Sequence, residues 1–392
     1  MKKWQKVKIK DITDKIVDNR GKTPKNNAEC GIPLLEVNAL SETKKTPTYE
    51  VVRKYVDSET YNNAFRSGHP QKGDILIPTV GTIGNVCIAD NRQCCIAQNV
   101  IGLRTNKDLC GPEYLYYTLK DKTTQRRLLN LDIGGVQPSI KVPHLLNLEI
   151  LLPDIFTQQR IARILSSFDD KIELNAQINH NLEEQAKAIL DQNCLAHKTL
   201  KVGDIVSFAN GFAFKSSTYI EKGKFKVVTI KNVQDGKIDT SSADCVYEIP
   251  AKMKAECILN IGDVLLSLTG NVGRTGIVCE NNLLLNQRVA KIIPHQSVLN
   301  AVCYFIFRRP EMKAALETIA RGTAQANLSP VETLDIEIPF NIPILQDIAL
   351  CMKSFFEQII SNEMEIQKLA QLRDALLPKL MSGEIDVSEV EV

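Results

Sequence analysis

Residues 72–85 read KGDILIPTVGTIGN, and residues 261–274 read IGDVLLSLTGNVGR. The second stretch repeats the Gly-Asp start, the apolar run and the Gly-x-x-Gly turn of the first at an offset of 189, and Gln98 and Gln287 keep that offset. Later pairs keep offsets of 188 or 187: Gly134 with Gly322, Gln137 with Gln325, Ile161 with Ile348 and Asn175 with Asn362. A nearly constant offset indicates one folding unit copied in tandem.

The composition predicts an ordinary globular chain of at least two domains. The sequence has 392 residues, of which 44% are hydrophobic and 24% charged. It has no run of 18 apolar residues, and its N-terminus lacks the apolar core of a secretory signal, so we expect no membrane contact. The 11 cysteines are scattered without a C-x-x-C pair. We therefore expect no zinc site or other metal, and a reducing, cytoplasmic location.

The net charge of +2 hides an uneven distribution. Residues 1–155 carry a net charge of +6 and residues 198–342 carry +3, whereas residues 156–197 carry −2 and residues 343–392 carry −5. Basic surfaces attract phosphate backbones, so the two basic regions are candidates for nucleic-acid contact. Because a small excess of charge also arises by chance, this observation needs support from motifs.

Residues 1–155 and 198–342 share an α+β pattern. Short apolar runs broken by Gly, Asn, Asp and Pro predict strands, and one helix is expected in each region. The predicted strands are Ile75–Pro78, Val100–Leu103, Leu148–Leu152, Val227–Ile230, Val264–Leu268 and Val289–Ile293, and the predicted helices are Pro112–Asn130 and Val298–Ala320.

Residues 156–197 and 343–392 carry a different pattern, typical of long helices. Apolar residues alternate at steps of four and three, the a/d spacing of a heptad, and an Asn interrupts the seam at the same place in both copies. We predict that the two helices pack against each other through Ile161, Leu165, Phe168, Ile172, Asn175 and Leu182 of the first and Ile348, Met352, Phe355, Ile359, Asn362 and Leu369 of the second.

The order of the segments favours an antiparallel helix pair. The first helix has to deliver the chain to the second α+β region at its far end, and the second helix then runs back. A helix of about 35–40 residues forms a rod of about 50–60 Å. The stretch Ser-Ser-Phe-Asp-Asp at 166–170 resembles a helix restart with a cap, so a break there is the alternative to one unbroken helix.

The chain as a whole resembles the DNA-specificity subunit of type I restriction–modification enzymes. The local motifs are individually short, but their order and duplication resemble that family over essentially all 392 residues. The motifs are RGKTP at 20–24, KGDILI at 72–77, AQNVIGL at 97–103, GGVQPSI at 134–140, QQRIARIL at 158–165, GFAFKSS at 211–217, IKNVQDGKID at 230–239 and LPKLMSGEI at 377–385.

The resemblance implies an architecture and a set of partners. Residues 1–155 and 198–342 would be target-recognition domains, each reading half of a bipartite site in double-stranded DNA, and residues 156–197 and 343–392 would be helical spacers. The spacers would set the gap and dock two modification (methyltransferase) subunits, which a restriction/translocase subunit then joins. S-adenosylmethionine, ATP and Mg²⁺ would belong to those partners, and this chain would hold no cofactor and no catalytic residue. The second copy departs from the QQR motif, reading Leu-Gln-Asp at 345–347, so its helix need not bind a partner identically.

The early loop of each α+β region is a candidate for DNA contact. In the first, Lys22, Thr23 and Lys25 have groups suited to phosphates, and Arg20 or Asn26 to base edges. The alternative is a solvated loop; a Walker A loop is excluded, because it requires Gly at position 16, which is Ile. In the second, the candidates are Lys215 and Ser216, whereas Phe212 and Phe214 are expected in the core or a groove wall. Lys231, in the IKNVQDGKID motif, is a further candidate for DNA contact.

The Gly-x-x-Gly turns and two later loops supply the other candidates. The turns either need glycine for positive φ or bring backbone close to DNA, with Thr82, Asn85, Asn271 and Arg274 projecting. The later loops contribute Gln137, Ser139, Arg321, Gln325 and Asn327, whose polar groups would bind DNA or tie their own loop down.

Two other kinds of function remain open. One is an enzyme with an unrecognised centre, although the sequence lacks N-P-P-Y, D-P-P-Y, H-E-x-x-H and G-x-S-x-G motifs. The other is a protein-interaction scaffold without DNA contact. The favoured interpretation is a non-enzymatic reader of DNA sequence.

Overall fold

The computed structural model describes residues 4–21, 24, 28–134, 137–193, 199–321, 327–339, 344–388 and 390. The chain divides into two compact units. Unit 1 comprises Met1–Lys171 and Leu369–Val392, and unit 2 comprises Ile172–Lys368. Both units contain helices and sheets, so the predicted α+β class is confirmed.

Unit 1 is built on a four-stranded sheet and a three-stranded sheet. Its strands are β1 (Gln5–Lys8), β2 (Thr13–Asp18), β3 (Ile32–Leu35), β4 (Tyr55–Val56), β5 (Ile75–Pro78), β6 (Cys87–Ile88), β7 (Cys95–Ile96), β8 (Val100–Thr105) and β9 (Glu149–Leu152). Its helices are α1 (Ser58–Ala64), α2 (Pro112–Lys120), α3 (Lys122–Leu129), α4 (Val142–Leu146) and the first part of α5 (Ile155–Asn193). The sheet orders are β2-β8-β5-β6 and β4-β3-β7, and β1 pairs with β9.

Unit 2 repeats this plan with additional edge strands. Its strands are β10 (Thr199–Lys201), β11 (Val206–Asn210), β12 (Phe225–Val228), β13 (Gly236–Lys237), β14 (Cys245–Val246), β15 (Ile258–Leu259), β16 (Val264–Ser267), β17 (Thr275–Ile277), β18 (Leu283–Leu285), β19 (Val289–Pro294) and β20 (Glu337–Pro339). Its helices include α6 (Val202–Ile205), α7 (Asn300–Phe307), α8 (Pro310–Arg321), α9 (Pro330–Leu334) and most of α10 (Leu345–Met381). The sheet orders are β11-β19-β16-β17-β13 and β14-β12-β18-β15, and β10 pairs with β20.

The strand register makes the internal repeat visible. The order β2-β8-β5-β6 of unit 1 matches β11-β19-β16-β17 of unit 2, and β4-β3-β7 matches β14-β12-β18. Leu76 lies opposite Gly102, and Leu265, 189 residues after Leu76, lies opposite Lys291. The offset of 189 is therefore an equivalence in space as well as in sequence.

The prediction of one helix over Pro112–Asn130 and one over Val298–Ala320 is wrong, because each of these stretches contains two shorter helices. In unit 1, Asp121 separates α2 from α3 and its carboxylate accepts hydrogen bonds from the Thr123 and Thr124 amides, which caps α3. In unit 2, α8 begins at Pro310, which has no N–H to donate back into α7. Local capping chemistry thus divides a continuous apolar pattern.

The two long helices pack in antiparallel fashion within each unit. In unit 1, Ile161 and Leu165 of α5 share a core with Leu377 and Leu380 near the end of α10. In unit 2, the Asn175 side chain donates to Glu365 Oε2 at 2.7 Å, and the Asn362 side chain donates to Asn179 Oδ1 at 2.8 Å. Residue numbers rise along α5 as they fall along α10, which is the direction that the sequence predicts.

The alternative of a helix break at residues 166–170 is wrong, because α5 is continuous from Ile155 to Asn193. The Ser167 hydroxyl donates to the Ile164 carbonyl at 2.7 Å, and Ser166 Oγ accepts from Lys45 Nζ at 2.9 Å. The Asp169 carboxylate pairs with Arg373 at 2.6 Å. The partners of these side chains are a carbonyl of the same helix and side chains of other elements, and none of them caps a new helix start.

The predicted seam residues differ in burial. Among them, Ile161, Leu165, Asn175, Ile348, Met352, Ile359 and Asn362 are buried. The others, Phe168, Ile172, Leu182, Phe355 and Leu369, are half-buried. Phe356 is buried more deeply than its neighbour Phe355, so the apolar face of α10 is wider there than a strict heptad seam. No helix within the described ranges has both the length and the apolarity to cross a membrane.

Candidate nucleic-acid interface

The Gly-x-x-Gly turns have the backbone conformation that glycine favours. The φ angles are +87° at Gly81, +102° at Gly84, +72° at Gly270 and +80° at Gly273. Each turn follows a buried strand, β5 in unit 1 and β16 in unit 2. The positive φ angles therefore explain these glycines. Of the side chains between them, Thr82 and Asn271 are exposed, whereas Ile83 packs against the core and Val272 is buried.

The later loops lie directly against these turns. In unit 1, the Gly81 amide donates to the Pro138 carbonyl and the Ile140 amide to the Thr79 carbonyl, both at 2.9 Å. In unit 2, the Leu328 amide donates to the Leu268 carbonyl at 2.7 Å, and Thr269 forms a bridge with Asn327. The turn and the later loop, whose contacting residues are about 60 positions apart in sequence, thus form one surface in each unit.

The same surface receives the carboxyl ends of two parallel strands. Strands β3 and β7 run parallel in unit 1, as do β12 and β18 in unit 2. The Thr79 amide donates to the Asn99 carbonyl at 2.8 Å, and the Leu268 amide donates to the Arg288 carbonyl at 3.0 Å. We name this surface the strand-end surface: residues 36–38, 79–84, 97–99 and 137–140 in unit 1, and 229–231, 268–273, 286–288 and 327–328 in unit 2.

An open polar cleft lies in the strand-end surface of unit 1. Its volume is about 430 Å³, and its lining consists of Glu36, Val37, Asn38, Lys54, Ala97, Gln98 and Asn99. Lys54 Nζ lies 2.7 Å from Glu36 Oε1 at the cleft wall. The polar residues of this cleft were not among the predicted site residues, although the retention of Gln at 98 and 287 is a signal that could have identified the segment.

Partly buried ion pairs hold the strand that leads into each turn. Asp74 Oδ2 lies 2.7 Å from Arg104 Nη2, and Asp263 Oδ2 lies 2.7 Å from Lys291 Nζ. Both carboxylates also accept backbone amides of the preceding turn, from Gln71 and Asn260. The hydrogen bond to Asp74 raises the pKa of Arg104. Each unit therefore fixes the start of the strand with an aspartate at the equivalent position, which pairs with an arginine in unit 1 and a lysine in unit 2.

The early loop of unit 1 is anchored at its first residues. Arg20 is half exposed, and its guanidinium pairs with Asp18 at 2.6 Å. Burial acts to raise the pKa of Asp18, but hydrogen bonds from Arg20 outweigh burial and lower it. Arg20 would have to leave Asp18 to reach a base. The candidates Lys22, Thr23, Lys25 and Asn26 lie outside the described residues.

The early loop of unit 2 exposes its polar residues and packs its aromatic residues. Lys215 and Ser216 are exposed, as is Lys231 in the loop that follows β12. Phe212 and Phe214 pack edge to face with ring centroids 5.1 Å apart, and Phe212 contacts the core beneath the sheet. The two phenylalanines therefore support the loop, as the sequence indicated, and the cations remain accessible.

The turn candidates divide into exposed residues and residues that tie down their own loop. Thr82, Gln137 and Asn271 are exposed. The Asn85 side chain instead donates to the Leu40 carbonyl at 2.7 Å, so its amide does not project from the turn as expected. The Arg274 guanidinium donates to Gln234 Oε1 at 2.8 Å, which holds it against the neighbouring loop.

The later loops include one further anchored position. The Ser139 amide donates to Asp132 Oδ1 at 2.9 Å, and the serine is half-buried. Asn327 is exposed and lies in the bridge to Thr269. Gln325 and the side chain of Arg321 lie outside the described residues. Within the ranges that the structure describes, His, Cys, Asp and Glu form no group of three or more that could hold a metal ion.

Known proteins share this duplicated plan. The family model of the type I restriction modification DNA specificity domain matches residues 1–184 and 197–371. The specificity subunit of the type I restriction enzyme MjaIX from Methanocaldococcus jannaschii is 29% identical over 351 residues, covering 81% of this chain and 79% of that protein. The HindI specificity subunit from Haemophilus influenzae is 23% identical, covering 80% of this chain and 87% of that protein.

A solved structure shows the same fold. The crystal structure of the type I restriction–modification S subunit from M. genitalium aligns with a TM-score of 0.60 at 18% identity, covering 96% of each chain. The two family matches account for most of the sequence, and each covers one copy of the repeat. The chain therefore belongs to the type I restriction modification DNA specificity family.

Proposed function

We propose that this DNA specificity subunit reads a bipartite site in double-stranded DNA, with the strand-end surface of each unit reading one half. The observation that carries the proposal is the repetition of that surface. The same turn, later loop and parallel strand ends meet in both units, while the exposed side chains differ. A backbone that is repeated in both units but carries different side chains suits a DNA site whose two halves differ in sequence.

The long helices are proposed to dock the other subunits of a type I restriction–modification complex. Several large apolar side chains of α5 and α10 face solvent, including Phe156, which is 72% exposed, and Leu350, which is 61% exposed. Leu174 and Leu372 are also exposed. A partner surface that covered these side chains would remove apolar area from water, which favours binding. We propose two modification subunits as the direct partners and restriction/translocase subunits as later ones.

The chemistry of the complex is assigned to those partners. S-adenosylmethionine, ATP and Mg²⁺ would be bound by those partner subunits, with none held by this chain. This subunit would contribute base recognition and assembly. The free thiols of the ten described cysteines suit the proposed cytoplasmic location.

Exchange of the α+β region of unit 2 tests whether each unit reads its own half-site. Residues 198–342 are replaced by the corresponding region of another specificity subunit, and the chain is expressed with its modification subunits in a host whose methylation is mapped by sequencing. One half of the methylated motif should change and the other should persist. A change in both halves, or in neither, would contradict separate reading by the two units.

Two further measurements separate the alternatives. The purified chain alone should bind no S-adenosylmethionine, whereas an enzyme with an unrecognised centre would. In complex with its partners, the chain should shift duplex DNA in a salt-dependent manner. Replacement of Lys22, Lys215 and Arg274 by Ala should weaken that shift, and an unchanged shift would favour a scaffold without direct DNA contact.

A further inference from the structure

The strand-end surfaces of the two units share their backbone and differ in the polar groups that they present. Leu35 and Ile96 are the last paired residues of β3 and β7, and Val228 and Leu285 hold the same places in β12 and β18. Counting three residues onward from each strand end gives two equivalent pairs of positions. Asn38 corresponds to Lys231, and Asn99 corresponds to Arg288.

The main chain confirms this alignment at the second pair. The Asn99 carbonyl accepts the Thr79 amide at 2.8 Å, and the Arg288 carbonyl accepts the Leu268 amide at 3.0 Å. Thr79 and Leu268 are themselves separated by the repeat offset of 189. The backbone at Asn99 and Arg288 is therefore held in the same way, and only the side chains change.

These side chains are available to a ligand. Lys231 and Arg288 are exposed, and neither forms an ion pair with any carboxylate of the described residues. In unit 1, Asn38 is exposed and Asn99 is half-buried, and both line the 430 Å³ cleft. One N–H of the Asn38 amide donates to the Val51 carbonyl at 3.4 Å, which leaves its second N–H and its oxygen for a ligand. Gln98 and Gln287, which lie between these positions and the strand ends, are exposed in both units and identical.

We infer that the third position after each of these strand ends determines base specificity, with Asn38 and Asn99 selecting adenine and Lys231 and Arg288 selecting guanine. This inference rests on the proposed function and assigns residues to it. Residues that are identical in both units, such as Gln98 and Gln287, cannot distinguish two different half-sites. Residues that differ on an identical backbone can.

The chemistry of the base edges gives the direction of the assignment. In the major groove, guanine offers two acceptors, N7 and O6, which match the donors of an arginine or a lysine. Adenine offers the N7 acceptor and the N6 donor, which match the acceptor and donor of a side-chain amide. An amide and a guanidinium on the same frame therefore read different bases.

The test maps the methylation motif of the full chain in complex with its modification subunits, using a library of randomised duplexes. Arg288→Ala removes the donors that would pair with guanine N7 and O6. It should make one G·C position degenerate in the half-site that the unit exchange assigns to unit 2, lowering discrimination there about tenfold or more. Asn99→Arg should introduce a preference for guanine at one position of the other half-site.

Lys224→Ala is the matched control for Lys231→Ala. Lys224 is an exposed cation that precedes the opposite, amino end of β12, where its Nζ lies 5.3 Å from the Phe225 ring centre. Its replacement should leave every position of the motif unchanged. Lys231→Ala should instead relax one G·C position of the unit 2 half-site.

The outcomes separate failure of this inference from failure of the proposed function. If complexes with the variants at 231 and 288 methylate every sequence more weakly and by the same factor, without a change of motif, these cations contact phosphates. The inference is then overturned. If Asn99→Arg leaves the motif unchanged in a complex with normal methylation, the inference is likewise overturned. If exchange of residues 198–342 fails to alter one half-site alone, the proposed function itself is wrong.

Discussion

Arg373 Nη1 and Asp169 Oδ1 lie 2.6 Å apart and join the end of α10 to the first part of α5 inside unit 1. The other carboxylate oxygen of Asp169 accepts the Tyr117 hydroxyl at 2.5 Å, so one acid connects both long helices to α2. Burial raises the pKa of Tyr117, and the Asp169 charge raises it further. Arg373 occupies a seam position of the heptad pattern, and this acid is the reason that a cation is accommodated there.

Asp169→Ala should destabilise unit 1. The substitution leaves the Tyr117 hydroxyl and the Arg373 guanidinium without this acceptor, and the cost expected for partly buried partners is about 1–3 kcal/mol. Urea and thermal denaturation of the full chain measure it. The control is Glu357→Ala, which removes the exposed pair of Glu357 with Lys353 and should change stability by less than about 0.5 kcal/mol. Equal effects of the two variants would contradict the prediction.

Glu363→Gln should stabilise unit 2 at neutral pH. Burial raises the pKa of Glu363, and Glu183 and Asp239 add to the effect while Lys237 opposes it. A carboxyl whose folded-state pKa is raised stabilises the fold fully below its ordinary value of 4.5, and that contribution is lost as pH rises through the folded-state pKa.

The gain in melting temperature from Glu363→Gln should therefore be larger at pH 8 than at pH 4.5. The control is Glu357→Gln, an exposed carboxyl on the same helix that should give no such trend. A gain that grows as pH falls would have the wrong sign and would refute the argument from burial.

Gly81→Ala should weaken DNA recognition by unit 1. The φ of +87° costs an alanine about 1 kcal/mol in backbone strain, although the nearest atom to an added Cβ, in Val37, is an ordinary 3.8 Å away. Asn tolerates this region better, so Gly81→Asn should retain more stability and more binding. Melting temperature and duplex binding by the complex give the ranking, and an alanine variant that performs as well as the asparagine variant would exclude strain as the cause.

Lys215→Ala should weaken binding to all duplex sequences alike. An exposed lysine that contacts one phosphate contributes about one unit to the slope of the logarithm of affinity against the logarithm of salt concentration. Titrations of the complex at several salt concentrations measure that slope, with Lys224→Ala as the control. A change of methylation motif, or an unchanged slope, would remove Lys215 from the phosphate contacts.

The repeat and the long helices could be predicted from sequence because they depend on regular spacing. The constant offset and the heptad steps are arithmetic properties of the chain, and both have direct structural counterparts in the sheet register and in the Asn175 and Asn362 contacts. Interruptions of that regularity were harder to predict. The cap at Asp121 and the intact helix through Ser166 are each decided by one or two hydrogen bonds.

The strand-end surface could be predicted only in part. The turns at Gly81 and Gly270 carry a visible glycine signal, but the cleft around Asn38 and Asn99 arises from parallel pairing between distant strands. The residues that flank Asn38 or Asn99 in sequence do not indicate that either lies at the carboxyl end of a parallel strand. Asn85 was predicted to project toward DNA, but its side-chain amide donates to the Leu40 carbonyl. No spacing rule in the sequence indicates that contact.

Strands β1 and β10 each pair with the final strand of their own α+β region, β9 and β20 respectively. In unit 2, Thr199 lies opposite Pro339, so the segment between them enters and leaves at neighbouring points. Genetic crossovers just outside both strands would transplant the whole α+β region together with the strand pair that joins its two ends. Such a gene could acquire a new half-site in a single recombination event, without the stepwise loss of folding that scattered mutations would bring.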